Sequence, residues 1–146
     1  MAVFYTNEFA SVIPEEFRDR TVNVFTLTDE GPTDLSVVVT RDKLREGEDL
    51  ATYLDRQLAI LQQRMPQFRL RRREPAVVAA TGGERLEMQW QTPQGAVYTR
   101  QVAVVSPQGP VLTVSATFRS APAEPYTTMF EQFVASVRFH AAQGAS

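Results

Sequence analysis

Apolar and polar positions in this chain change period several times, and each period predicts an element. Phe4 to Ile13 reads as short extended pieces, with Pro14 holding Ile13 in extended geometry, and Glu15 to Asp19 fits a helical turn. From Thr21 to Leu27 the period is two, which places Val22 and Val24 on one side and Asn23, Phe25 and Leu27 on the other. Asp29-Glu-Gly-Pro32 makes a turn. Leu35 to Thr40 is β-branched and almost continuously apolar, the mark of a strand covered on both faces.

Asp49 is a good helix N-cap, and a helical period runs from Leu50 to Met65, where Pro66 forbids continuation. Phe68 to Arg73, Pro75 to Ala80 and Glu84 to Gln91 follow as strands, with Thr81-Gly82-Gly83 as a hairpin turn between the last two. Thr92-Pro-Gln-Gly95 and Ser106-Pro-Gln-Gly-Pro110 set off two more strands, Ala96 to Val105 and Val111 to Phe118. Past Pro125, Tyr126, Met129, Phe130, Phe133 and Val137 return to helical spacing. Runs of strands with one helix inserted and one at the end predict an α+β domain over residues 1–140, its helices packed on one face of an antiparallel sheet. Residues 141–146 are expected to form a flexible tail.

Composition narrows the function more than the fold. A chain of 146 residues has room for one core, and its 15 Lys+Arg against 17 Asp+Glu supply no general field for nucleic acid. With no cysteine there is no disulfide, thiolate nucleophile or Cys-based metal site. Glu8 interrupts the stretch where a signal peptide would be most apolar, and no apolar run approaches the roughly 20 residues that cross a bilayer. The expectation is a cytoplasmic protein without stable membrane association.

Catalytic chemistry finds little support. His140 has no neighbouring carboxylate or nucleophile at a recognisable spacing, no serine lies in a Gly-x-Ser-x-Gly elbow, and Gly82-Gly83 lacks the Lys-Ser/Thr of a phosphate loop. Glu15/Glu16 and Glu46/Glu48/Asp49 fall in turns and at a helix start, where carboxylates need no further role. No enzyme activity, cofactor or metal is expected. Alternation places Arg69, Arg71 and Arg73 together as a solvated strand face or a contact for an acidic protein.

Two patterns exceed what a core requires. Leu50, Tyr53, Leu54, Leu58, Ile60, Leu61 and Met65 span an arc of roughly 160° on the first helix, with Gln57 projecting from its middle. A buried amide there needs a hydrogen-bond partner. In Ala96 to Val105 both faces mix apolar and polar residues, Val97 and Gln101 on one and Tyr98 and Val102 on the other. The surplus apolar surface, dotted with amides and joined by Val22 and Val24, suits a subunit interface or an apolar ligand.

The order of several short motifs completes the reading. Ile13-Pro-Glu-Glu-Phe-Arg-Asp-Arg-Thr-Val-Asn-Val-Phe25, Ser36-Val-Val-Val-Thr-Arg-Asp42, Tyr53-Leu-Asp-Arg-Gln-Leu58, Met65-Pro-Gln-Phe68, and Gln89-Trp-Gln91 with Arg100-Gln-Val102 resemble the Eag-type chaperones of bacterial type VI secretion over nearly the whole chain. The resemblance implies a curved DcrB-like α+β fold and a cytoplasmic homodimer. It also implies a partner, the N-terminal transmembrane region of a PAAR-containing effector, shielded before the effector is loaded on the VgrG spike. The apolar positions it assigns to cargo are Val22, Val24, Leu61, Met65 and Val97, with Gln57 and Gln101 as hydrogen-bonding amides. Two positions depart from the family pattern: Leu61 is bulkier than usual, and Phe17 stands where Trp is common. A DcrB-like module that binds a soluble partner is the alternative.

Overall fold

β-Branched and aromatic residues dominate the strand-forming runs, and their alternation decides which side chains enter the core. The computed structural model describes residues 2–5 and 8–140, so the expected tail at 141–146 lies outside the described residues. In chain order the elements are β1 (Ala2–Tyr5), β2 (Ala10–Ile13), β3 (Asn23–Thr26), β4 (Leu35–Asp42), α1 (Leu50–Arg64), β5 (Arg69–Val78), β6 (Thr81–Thr92), β7 (Gly95–Val105), β8 (Val111–Phe118) and α2 (Tyr126–Ser136). β1 and β2 pair as a separate hairpin, while the main sheet has six strands in the order β3-β4-β8-β7-β6-β5, every neighbouring pair antiparallel. The α+β class with an antiparallel sheet is thus as the pattern led us to expect.

The helices, however, do not share a face. Leu35, Val37 and Val39 of β4, Val102 and Val104 of β7, and Val114 and Ala116 of β8 form one buried cluster with Phe130 and Val134 of α2. Leu86 and Met88 of β6, Ala103 of β7 and Val111 of β8 form a second, with Tyr53 and Leu54 of α1. Consecutive residues of a strand point to opposite faces, so Val102 and Ala103 place the two helices on opposite sides of the sheet. The expectation of both helices on one face is corrected accordingly. The physical reason lies in β7, which is apolar on both sides and needs cover on each.

α1 is fixed at its start and along one flank. The Asp49 carboxylate accepts from the Thr52 backbone N–H at 2.9 Å, and this bond holds its pKa below the usual range. Arg56 donates to both Glu48 oxygens at 2.9 Å. Across the other flank, Arg73 of β5 donates to Asp55 at 2.6 Å, to the Ala51 carbonyl at 3.1 Å and to Glu84 of β6 at 2.7 Å, which ties helix to sheet.

β5 differs from its expected form. It is one edge strand rather than two, tolerating Pro75 at the edge, and a bulge between Leu70 and Arg72 breaks the alternation. Leu70 and Arg73 therefore share the α1 face, and the arginines do not line up as a single row. The β5–β6 turn is formed by Ala79 and Ala80, both at positive φ, whereas Gly82 and Gly83 lie inside β6. Glycine is needed at 83 for another reason: a Cβ there would lie 2.2 Å from the Ala103 carbonyl oxygen.

Candidate functional site

α1 covers the β6–β7 side of its face, and the rest of that face, out to β3, stays partly open. Cross-strand register shows its make-up. One row runs Val24, Val38, Ser115, Gln101 from β3 to β7, and the next runs Thr26, Ser36, Thr117, Thr99. Thr40 and Thr113 pair in the row beyond, next to Ala103. No charged side chain stands in these rows. Ion pairs lie outside them: on this same face Arg73 pairs with Glu84 at 2.7 Å at the β5–β6 edge under α1, and the α2 face holds Arg85 bidentate to Glu131 at 2.6 and 2.7 Å, and Arg100 to Glu87 at 3.1 Å.

All seven residues singled out from the sequence lie on this side of the sheet or on α1 above it. Val24 is 61% exposed on β3, and Val22, 52% exposed, precedes that strand. Gln57, Leu61 and Met65 are half-buried along α1, as are Val97 and Gln101 on β7. None of the seven belongs to the sealed core. Val22 and Gln57 both line a cleft of about 510 Å³, together with Thr40, Tyr53 and the charged side chains of Asp19, Arg20, Arg41, Asp42 and Lys43. Met65 ends α1 near the β6–β7 hairpin, because the next residue, Pro66, accepts the Gln91 N–H at 2.9 Å, and Val97 pairs with Trp90 at that same end. Val24 and Gln101 sit in one row but three strands apart, about 14 Å at the usual strand spacing. Leu61 is drawn partly inward, against the cluster beneath α1.

The amides differ in state. Gln101 accepts from the Ser115 hydroxyl at 3.4 Å, whereas Gln57 has no hydrogen-bond partner among the described residues. The Tyr53 hydroxyl, one turn earlier on α1, donates to Asp42 at 2.9 Å, and burial followed by this carboxylate pushes its pKa upward. That end of the open face is therefore bounded by a neutral phenol that donates to Asp42, with Asp19, Arg20, Arg41 and Lys43 lining the same cleft. The hydroxyl row through Ser36, Thr117 and Thr99 was missed by sequence reasoning. Its only signal is a Ser or Thr at the same parity in three strands, which becomes a row only once the register is known.

Among the described residues no group of three or more His, Cys, Asp or Glu side chains is placed to hold a metal ion. Nor is any described helix long and apolar enough to cross a membrane. The DcrB family model matches residues 10–136, from β2 to the end of α2, and includes all seven positions. The chain belongs to the DcrB family. Among curated proteins, this family member is 29% identical over 105 residues to Effector EagT6 of Pseudomonas aeruginosa (strain PAO1), covering 71% of this chain and 73% of that one. The likeness to Eag-type proteins read from the motifs is thus met by a relative. In structure it is similar to PA94 of Pseudomonas aeruginosa, a protein of unknown function and a proposed regulator, with a TM-score of 0.81, 25% identity, and 96% and 97% of the two chains covered.

Proposed function

We propose that this protein is a cytoplasmic chaperone of type VI secretion that binds by shape and shielding rather than by catalysis. Its cargo in this reading is the N-terminal transmembrane region of a PAAR-containing effector, held before the effector is loaded on the VgrG spike, with a homodimer as the working unit. The observation that carries the reading is the partly open face between α1 and β3, whose central rows are uncharged and bring apolar side chains, two amides and hydroxyls together, with charged residues confined to its Asp42 end and its β5–β6 edge. The similarity to Effector EagT6 supports the secretion context.

The dimensions fit such a cargo. About 14 Å from β3 to β7 takes one helix of roughly 10–12 Å diameter. The eight residues of β8 extend about 26 Å, close to the roughly 30 Å of a bilayer-spanning helix. An apolar helix moved from water onto this face gains roughly 25 cal/mol for each Å² of apolar surface it hides. Gln57 and Gln101 offer it hydrogen bonds of the kind a neighbouring membrane helix would. Release follows when a bilayer offers the same helix a drier solvent.

Co-expression tests this reading. An effector N-terminal fragment containing its transmembrane segments should become soluble and co-purify with this protein, while a fragment lacking them should not. Equal recovery of both would overturn the cargo assignment and favour a module for soluble partners.

A further inference from the structure

We propose that the exposed arginines Arg69, Arg71 and Arg72 of β5 form a docking surface for an acidic segment of a partner protein, on the side of the sheet opposite the face assigned to cargo. The inference does not depend on the cargo reading.

The bulge in β5 makes this surface. Strict alternation would set Arg69 and Arg71 on one face and Arg72 on the other. Instead Leu70 pairs with Met88 and Arg72 with Glu87, which leaves Arg71 as the extra residue between them. Leu86 and Met88 belong to the cluster under α1, so Glu87 and Gln89, which alternate with them, point to the α2 side. Arg69 lies opposite Gln89 and Arg72 opposite Glu87, while Arg71 donates to the Gln89 side-chain oxygen at 3.1 Å. The three guanidinium side chains thus gather on the α2 side of the edge strand. α2 leaves them uncovered, since its cluster reaches β5 only at Ala76 and Val78.

Their charge is not balanced from within. Arg56, Arg73, Arg85 and Arg100 each hold a carboxylate at 3.1 Å or less. Arg69 has no hydrogen-bond or ion-pair partner among the described residues, and Arg71 has only a neutral amide. Arg72 meets Glu74 at 3.3 Å with more than half of its side chain exposed. From Gln62 to Arg73 the chain carries five arginines and no Asp or Glu, so no sequence neighbour before Glu74 neutralises them. Like charges this close repel one another, and the bulge with Pro75 already blunts the edge against stray strands. Edge protection alone therefore does not call for the cluster, whereas an acidic partner removes its repulsion.

The surroundings select the occupant. Guanidinium forks take carboxylates in bidentate pairs, and Arg69 to Arg72 extend over about 10 Å, room for two or three acidic side chains of an extended segment. A nucleic-acid backbone fits less well, because Glu74 and Glu87 border the cluster and interrupt a longer phosphate track.

Fluorescence anisotropy on the full chain tests the proposal. The probes are a labelled peptide of about eight residues alternating Glu and Ser, its Lys/Ser counterpart, and a single-stranded oligonucleotide of similar length. The Glu peptide should bind and lose affinity roughly fivefold between about 50 and about 300 mM salt, and the Lys peptide should not bind. Arg69→Ala/Arg71→Ala should weaken the Glu peptide roughly tenfold and leave the melting temperature within about 2 °C, because both side chains are exposed. Arg69→Lys/Arg71→Lys, which keeps the charge and loses the fork, should weaken it about threefold. Arg138→Ala, beside Val77 and Ala79 at the far end of β5, should change nothing. Absence of Glu-peptide binding, undiminished binding by both double variants, an equal loss in Arg138→Ala, or tighter binding of the oligonucleotide would each overturn the docking role.

Discussion

The two faces of one sheet are finished differently. On the α2 side, Phe130 and Val134 seal a cluster of aliphatic side chains, and ion pairs such as Arg85–Glu131 close the rim. On the α1 side, a longer helix covers only the β6–β7 half, and toward β3 the rows are uncharged and half-open. The same strands serve both, since β7 contributes Val102 and Val104 to one face and Thr99 and Gln101 to the other. The comparison teaches that strand parity assigns the faces: even positions of β7 such as Val102 and Val104 pack under α2, while the odd ones divide between the core beneath α1, at Ala103, and the partly open surface, at Val97 and Gln101.

Substitutions that respect that parity sharpen the contrast. Phe130→Ala on the sealed face should cost about 3–5 kcal/mol of stability in urea titrations, while cargo capture per folded molecule stays unchanged. Val24→Asp on the open face should leave stability within about 0.5 kcal/mol, because Val24 is exposed, yet lower capture at least tenfold, about 1.4 kcal/mol, in quantitative co-purification. Similar destabilisation by both would break the comparison. Arg85→Ala, which leaves Glu131 alone at the α2 rim, should cost about 1 kcal/mol by thermal or chemical melting and leave capture intact.

The smallest effect concerns pH. The Arg56 guanidinium and the Arg45 backbone N–H hold the Glu48 carboxyl down at about 2, from an ordinary 4.5. A depressed folded-state pKa gives stability that is present above pH 4.5 and is lost as pH falls from there to about 2. Glu48→Gln should remove this part of the acid dependence, measured as unfolding free energy against pH, without altering the neutral-pH profile of the α2 face.

Much of this contrast was legible in the sequence, and what was not has physical causes. The α1 boundaries follow from Asp49 and Pro66, and the side-to-side split of Val24 from Phe25 follows from a period of two; Phe25 meets the Phe133 ring of α2 at 5.4 Å between centroids. The β5–β6 turn was misplaced because Gly82-Gly83 is the stronger turn signal, whereas the chain turns at Ala79-Ala80 and uses Gly83 for close strand contact. The placement of helices needed the register, since the face apolarity of β7 says that both sides want cover but not which helix supplies it. At the candidate site, Gln57 stands out from its arc on a helix, but Thr99, Thr117 and Ser36 do not, because each is an ordinary polar residue until three strands align them.

A photo-crosslinking residue placed in turn at Val24, at Ser115 and at Met129 tests the central claim most directly, in the presence of an effector fragment that includes its transmembrane segments. Val24 and Ser115 belong to one row of the open face, while Met129 is exposed on α2. Adducts from Val24 and Ser115 and none from Met129 are the expected result; adducts from Met129 alone would contradict the assignment of the binding face.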